Sequence, residues 1–309
     1  MPANTTATIE DSTDKVFFRT MLMRHAEPRL IHAQFSEESE FPQNSGDTIE
    51  FRIFDALETV DDTLVEGVTP NPDELALTKV QATSVQGGRI VPITDRMEYV
   101  AVDPVASETT RLQGDQAGRN IDGRLRDGMN AGTAVYRPNN RATRGAVTSG
   151  DVATYNFFDK MATALESVNA PTWPEHGNRY VCLINPYTAY DLRQDPIWQA
   201  LVKTGVVDPE QLWAQNYLGD AHNVRFFKST IVKDFGLVGD GGIRVHSSLM
   251  MAKGYYGHSF LSPLEPVYAP PVDPLRQISH LGYKYDLAHT IKQDTYAARG
   301  EHACSLKLT

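Results

Sequence analysis

Two strand-like stretches that must pair across a long acidic insertion constrain the fold of this chain more than any other feature. Residues 47–56 alternate, with Ile49, Phe51 and Ile53 on one face and Glu50 and Arg52 on the other, as in a half-solvated strand. A second strand, about Thr78–Thr94, runs through Val80, Ala82, Val85, Ile90 and Ile93. Between them the chain reads LETVDDTLVEGVTPNPDEL, with no apolar periodicity and with Gly67, Pro70 and Pro72 as breakers. Structureless connections of that length inside compact domains are usually functional. A long two-stranded projection satisfies the pattern, and such a hairpin needs another surface to lie on.

A rod follows. Asp103 is placed as N-cap, Pro104 as first helical residue, and Val105, Leu112, Ile121, Leu125 and Met129 recur at helical spacing to about Asn130. Gly114, Gly118, Gly123 and Gly128 lie inside this helix, each at a cost of about 1 kcal/mol against Ala. Packing must hold it, and the glycines mark close approaches or a bend.

At the N-terminus, residues 1–15 read as a polar tail. Residues 16–35, interrupted at Pro28, fit either a helix on the chain's own core or an arm laid across a neighbour. After a loop with Arg137, Arg141 and Arg144, a helix is expected at about Asp151–Val168, with Phe158, Met161, Ala162 and Leu165 inward. The apolar run Val181–Ile184 reads as a buried strand that stops at Asn185-Pro186 and feeds a helix. Strands are expected at Asn223–Ser229 and around Ile243–Val245, and two more in the tail from His280.

Catalytic motifs find no support. Asp234-Phe235-Gly236 has the letters of the kinase metal-binding triplet, but no phosphate loop or catalytic loop accompanies it. Gly239-Asp240-Gly241-Gly242 precedes a strand, whereas phosphate cradles open a helix, so it reads as a turn. The nine histidines are scattered, and the two cysteines, Cys182 and Cys304, make neither a disulfide framework nor a metal site. No cofactor is expected. The net charge of −10 argues against a protein whose task is gripping nucleic acid, and no apolar run reaches membrane-spanning length. The polar, acidic start is the reverse of a signal peptide. The arginines at 137–144 fit solvation or pairing with acids of a neighbour.

Several segments, in order, carry a family resemblance. They are Thr48-Ile49-Glu50-Phe51, the stretch 66–70, Val102-Asp103-Pro104, Val224-Arg225-Phe226, Asp273-Pro274-Leu275, Leu281-Gly282-Tyr283-Lys284 and Ala298-Arg299-Gly300-Glu301. With them stands the block 180–198, which holds Asn185-Pro186, Asp191-Leu192-Arg193 and Asp195-Pro196-Ile197-Trp198. Together they resemble the major capsid proteins of N4-like tailed phages, which adopt the HK97-like fold. Tyr283 stands where tryptophan is usual, and Gly300 where isoleucine is usual.

The resemblance implies an α+β, HK97-like chain. Residues 1–46 would be an N-terminal arm and 47–97 an extended E-loop hairpin. Residues 98–149 and 263–309 would form a peripheral domain with a long spine helix, and 150–262 an axial domain. It further implies a non-enzymatic coat protein that self-assembles into hexamers and pentamers of an icosahedral shell around double-stranded DNA. Scaffolding protein, portal and a decoration protein would be its partners. Assembly would take place in the host cytoplasm, and the virion capsid would be its final location. An encapsulin-like compartment is the alternative with the same fold, and an ordinary α/β enzyme is the third reading. Contacts between subunits are expected at Ile49, Phe51 and Ile53 and between Asp61, Asp62 or Glu66 and Arg111 or Arg119, with Arg124 and Arg126 also available on the spine helix. Lys79, a possible cross-linking lysine in such shells, reads as an ordinary solvated side chain.

Overall fold

The computed structural model describes residues 17–26, 30–41, 46–54, 57, 63, 72–101, 104–203, 217–271, 275 and 277–306. The expected hairpin is shorter than the sequence suggests, since only the first half of its second strand pairs with the first strand. Strand β2 (Thr48–Phe54) pairs antiparallel with β3 (Leu77–Thr83), Phe51 standing opposite Val80. β3 runs through Ser84 into β4 (Val85–Thr94), which joins a different sheet. That sheet has four strands in the order β1 (Glu37–Glu38), β11 (Tyr256–Ala269), β12 (Ile278–Ile291) and β4.

The rod is α3 (Val105–Met129), laid on β12. Its inner face is Ala117, Ile121, Leu125 and Met129, packed with Tyr283, Tyr285 and Leu287 of β12. Leu112, expected inward, is exposed, and Pro104 stands one position outside the helix, not within its first turn. Two glycines have visible causes. A Cβ on Gly114 would lie 2.7 Å from the carbonyl oxygen of Leu22, and one on Gly128 would overlap the Tyr256 hydroxyl. Leu22 belongs to helix α1 (17–26), whose Leu22 and Ala26 are buried against α3. The described part of the N-terminal region therefore packs on its own chain. His32 fastens the next segment, its backbone N–H and ring Nδ1 donating to the two oxygens of buried Asp122 at 2.6 and 2.7 Å. Phe35 then enters an aromatic cluster with Trp173 and Phe227.

The second sheet has seven strands. Its path is β5 (Val135–Tyr136), β13 (Ala297–His302), β10 (Arg244–Met251), β6 (Tyr180–Ile184), β8 (Val224–Lys228) and β7 (Tyr217–Ala221), with β9 (Asp234–Leu237) also on β10. β6 is buried at all five residues. Each fully buried Val, Leu or Ile there contributes about 1.5–3 kcal/mol. One face is covered by α4 (Tyr155–Ser167), α5 (Pro186–Gln194) and α6 (Pro196–Lys203), through Phe158, Met161, Leu165, Leu192 and Trp198. The other face shares its core with α1, α3 and the four-stranded sheet, through Val181, Leu183, Leu249 and Met251.

The Asn185-Pro186 signature has a plain cause. Asn185 Oδ1 accepts from the Thr188 backbone N–H at 2.7 Å and caps α5, while Pro186 fills the first turn where no N–H is needed. Asp195 accepts from Ile197 N–H and from Tyr155 N–H, tying the starts of α6 and α4 together. Trp198 then packs edge-on against Phe226.

Two boundaries differ from expectation. The division at 262/263 cuts through β11, which is one continuous strand. Residues 263–309 do not all complete the four-stranded sheet, because β13 lies between β5 and β10 in the other. The Gly239–Gly242 turn is as read, with Gly241 and Gly242 at positive φ.

Candidate assembly surfaces

The apolar face of the hairpin divides into a covered base and an uncovered end. Ile49 is 6% exposed and Phe51 4%. With Ala82 they pack on Ala288 of the four-stranded sheet, on the face opposite α3, and the Phe51 ring lies over Gly257. Their burial is accounted for inside the chain. Ile53, on the same strand face, is only half-buried. Beyond it Phe54 is 70% exposed, and Leu57, Leu75 and Leu77 are exposed with it. None of these four was singled out from the sequence, because Phe54 sits on the strand face that alternation assigns to solvent.

From the hairpin the ribbon continues as β4, in which every residue except Gly87 and Ile93 is exposed. It is an edge strand, paired with β12 on one side. Ile90 is 67% exposed, and Val85 and Val91 are exposed as well. At its end the short helix α2 (Asp95–Val100) presents Met97, Tyr99 and Val100 to solvent. Long apolar edges of this kind are ordinarily blunted or covered.

Charged candidates are placed as follows. Asp61, Asp62 and Glu66 lie outside the described residues; Asp73 and Glu74, from the same acidic stretch, are exposed. Arg111 is engaged within α3, its Nε donating to Glu108 at 3.0 Å and its guanidinium 3.6 Å from Asp115. Arg119 is exposed and donates to the Asp115 carbonyl at 3.2 Å. Arg124 lies over the Tyr285 ring and donates to the Val85 carbonyl, and Arg126 pairs with Asp127. On the hairpin, Glu50 accepts from Arg52 and lies 3.4 Å from Lys79, with Arg52 first in holding its carboxyl below the ordinary range.

The arginine loop meets acids of its own chain. Glu301, fully buried on β13, accepts from Arg137 at 2.8 Å and from Arg144, with Arg299 at 3.3 Å. Burial opposes its charge, but the two arginines outweigh it and lower the pKa. Asp151, also buried, accepts from Thr148 N–H at 2.7 Å, Asn139 at 2.6 Å and Arg141 at 2.9 Å. Burial again works against the charge, and these donors overcome it, holding the carboxyl at about 2. The arginines are therefore structural, which spacing alone could not reveal, since Glu301 is far away in sequence.

Cys182 is buried in β6, and burial pushes its thiol pKa up. Among the described residues no group of three His, Cys, Asp or Glu could hold a metal ion, and no helix is long and apolar enough to cross a membrane.

Comparison with known proteins gives a fold. No family model matches the sequence, and no curated protein matches it. Solved structures do. The chain is similar to the capsid of Ralstonia phage GP4 with a TM-score of 0.68 and 13% identity, over 89% of this chain and 88% of that one. Similarity to the cyanophage Pam1 capsid has a TM-score of 0.67 at 13% identity, over 86% and 87%. A virus-like particle from Pyrococcus furiosus gives 0.55 at 7% identity, over 91% and 96%. The architecture is accordingly the α+β, HK97-like fold of phage capsid proteins.

Proposed function

We propose that this chain is the major coat protein of a tailed double-stranded DNA phage, assembling into hexamers and pentamers of a closed shell. The observation that carries the reading is the ribbon 77–94. It runs from the hairpin into the edge strand of the four-stranded sheet, is exposed at most of its positions, and carries Leu77, Val85, Ile90 and Val91 into solvent. A chain that works alone gains nothing from that surface, while a shell subunit has neighbours to cover it. The HK97-like fold supplies the second support, since the solved structures it resembles include phage capsids.

The hairpin end is the proposed contact: Ile53, Phe54, Leu75 and Leu77 against an adjacent subunit, with Ile49 and Phe51 anchoring its base. The acidic residues Asp61, Asp62 and Glu66 would meet arginine of that neighbour, Arg119 being the exposed candidate on α3. Scaffolding and portal proteins, a decoration protein, and membership of the N4-like group belong to the same proposal. Purified chain, alone or co-expressed with a scaffold, should give capsomers or closed particles by electron microscopy and sedimentation. A chain that stays monomeric under all assembly conditions would sink the reading. Particles that package a protein cargo and exclude DNA would transfer it to the encapsulin-like alternative.

A further inference from the structure

Four of the nine histidines meet as two cross-strand pairs, one in each sheet. His246 on β10 stands directly opposite His302 on β13. His258 on β11 stands directly opposite His289 on β12. Directly opposite residues of an antiparallel pair share a face, with Cβ atoms about 4.5–5.5 Å apart. His246, His258 and His302 are buried, and His289 is half-buried.

Their hydrogen bonds fit singly protonated rings. The Ser36 hydroxyl gives its hydrogen to the Ala33 carbonyl, so it accepts from His258 Nδ1 at 2.7 Å. His302 Nδ1 donates to the Ala303 carbonyl at 3.0 Å, so its Nε2 accepts from the Ser248 hydroxyl at 2.7 Å. His289 Nδ1 meets the Tyr256 hydroxyl at 2.6 Å. His246 Nδ1 is buried without a hydrogen-bond partner, its ring stacked on Tyr187.

Neither pair has a carboxylate committed to it. Around the first, Asp234 is 3.9 Å from His246 but accepts from Arg244 at 2.8 Å, and Asp191 of α5 accepts from Ser305. Phe157 of α4 packs edge-on to His302. Around the second stand exposed Glu38 of β1, Arg124 of α3, and Phe260 edge-on to His258. Burial is the first cause that lowers all four imidazoles, bringing His302 down to about 4, and in each pair one ring also depresses the other.

We infer that the two opposed imidazole pairs form an acid-operated joint, in which protonation sets like charges across one strand pair of each sheet and loosens both sheets together. Because the folded rings bind protons more weakly than the unfolded chain does, unfolding takes protons up. Stability from this source is complete above the ordinary imidazole pKa of about 6.5 and is lost as pH falls from there toward 4.

Urea midpoints of the dissociated chain measured across pH test this. They should be level from pH 7 to 8 and fall below 6.5, with protons taken up on unfolding. The double variant His246→Phe, His289→Asn keeps a ring on Tyr187 and an acceptor for Tyr256. It should hold its midpoint at pH 8 and take up fewer protons than the native chain below 6.5. An unchanged pH slope would overturn the inference. Imidazole resonances of the native chain give a second measurement that does not depend on the variant folding. The four rings should titrate below the ordinary value, and in His289→Asn the His258 resonance should titrate higher than in the native chain. Four independent titrations near the ordinary value, or a His258 titration that His289→Asn leaves in place, would also overturn it.

Discussion

Strand β6 is apolar throughout and β4 carries Val85, Ile90, Val91 and Ile93, yet the two stand in opposite environments. β6 has a strand on each side and packed layers on both faces, so Tyr180–Ile184 are all buried. β4 has one neighbour, and eight of its ten residues are exposed. The chain closes the seven-stranded sheet by its own resources and leaves the ribbon 77–94 open. On the proposed reading the contrast separates stability from assembly: substitutions near β6 should unfold the chain, and substitutions at the exposed positions of β4 should spare the chain and stop assembly.

The largest loss should come from Glu301→Ala, at the closed end of the contrast. Glu301 is the shared carboxylate of Arg137, Arg144 and Arg299, and removing it leaves arginines in a buried site without their counter-charge. Breaking a buried ion pair from one side costs about 3–5 kcal/mol. Urea unfolding of the dissociated chain should show it. A loss below 1 kcal/mol would mean that the arginines find water, and that this sheet edge is less closed than its geometry indicates.

Next comes Phe51, at the border between the two regions. Its ring fills the space over Gly257 beside Ala288, so Phe51→Ala should destabilise the isolated chain by about 3 kcal/mol. Assembly should fall in step. If assembly is abolished while the chain's own stability holds, Phe51 belongs with the open ribbon after all.

The elements of this contrast could be read from the sequence; which of them stay open could not, for physical reasons. Alternation at Ile49, Phe51 and Ile53 gave β2, helical spacing gave α3, and the run before Asn185 gave β6. Periodicity reports which face of an element is apolar and never whose atoms cover it. Hence Phe51 was expected at a neighbour and lies on Ala288, and α1 could be placed neither on its own core nor across another subunit until Gly114 was seen against Leu22. β13 carries small and charged residues, Ala297 to His302, so nothing in its pattern says which sheet it joins; pairing with β10 decides that. The Arg137, Arg144 and Glu301 cluster was invisible because its members are joined only by folding.

A milder effect, set by pH, concerns the loop that Asp151 pins. Its carboxyl lies at about 2 in the folded chain, below the ordinary value near 3.8. A depressed carboxylate adds stability above its unfolded pKa and loses it as pH falls through the folded one. The contacts from Thr148, Asn139 and Arg141 should therefore weaken between about pH 4 and pH 2. Hydrogen-exchange protection at residues 139–151, taken relative to the intrinsic rate at each pH, should fall over that window in the native chain. Asp151→Asn should show fast exchange already at pH 5, and equal protection in variant and native chain would remove the carboxylate from the account.

The smallest expected effect on the chain is the sharpest test of the contrast. Ile90 lies in the middle of β4, two-thirds exposed, with Gly282 as its cross-strand partner. Ile90→Asp puts a charge into water, not into a core, so the isolated chain should change by no more than about 0.5 kcal/mol. In a shell the same position would be covered by a neighbour, and burying an unpaired carboxylate there costs several kcal/mol at every repeat of the contact. The variant should then purify as a folded chain, with urea unfolding like the native one, and fail to form particles. Normal particles from Ile90→Asp would show that the ribbon stays wet in the assembly. The exposure of β4 would then be a property of the finished shell, and the interface would have to lie at the hairpin end, where Phe54 and Leu75 are exposed.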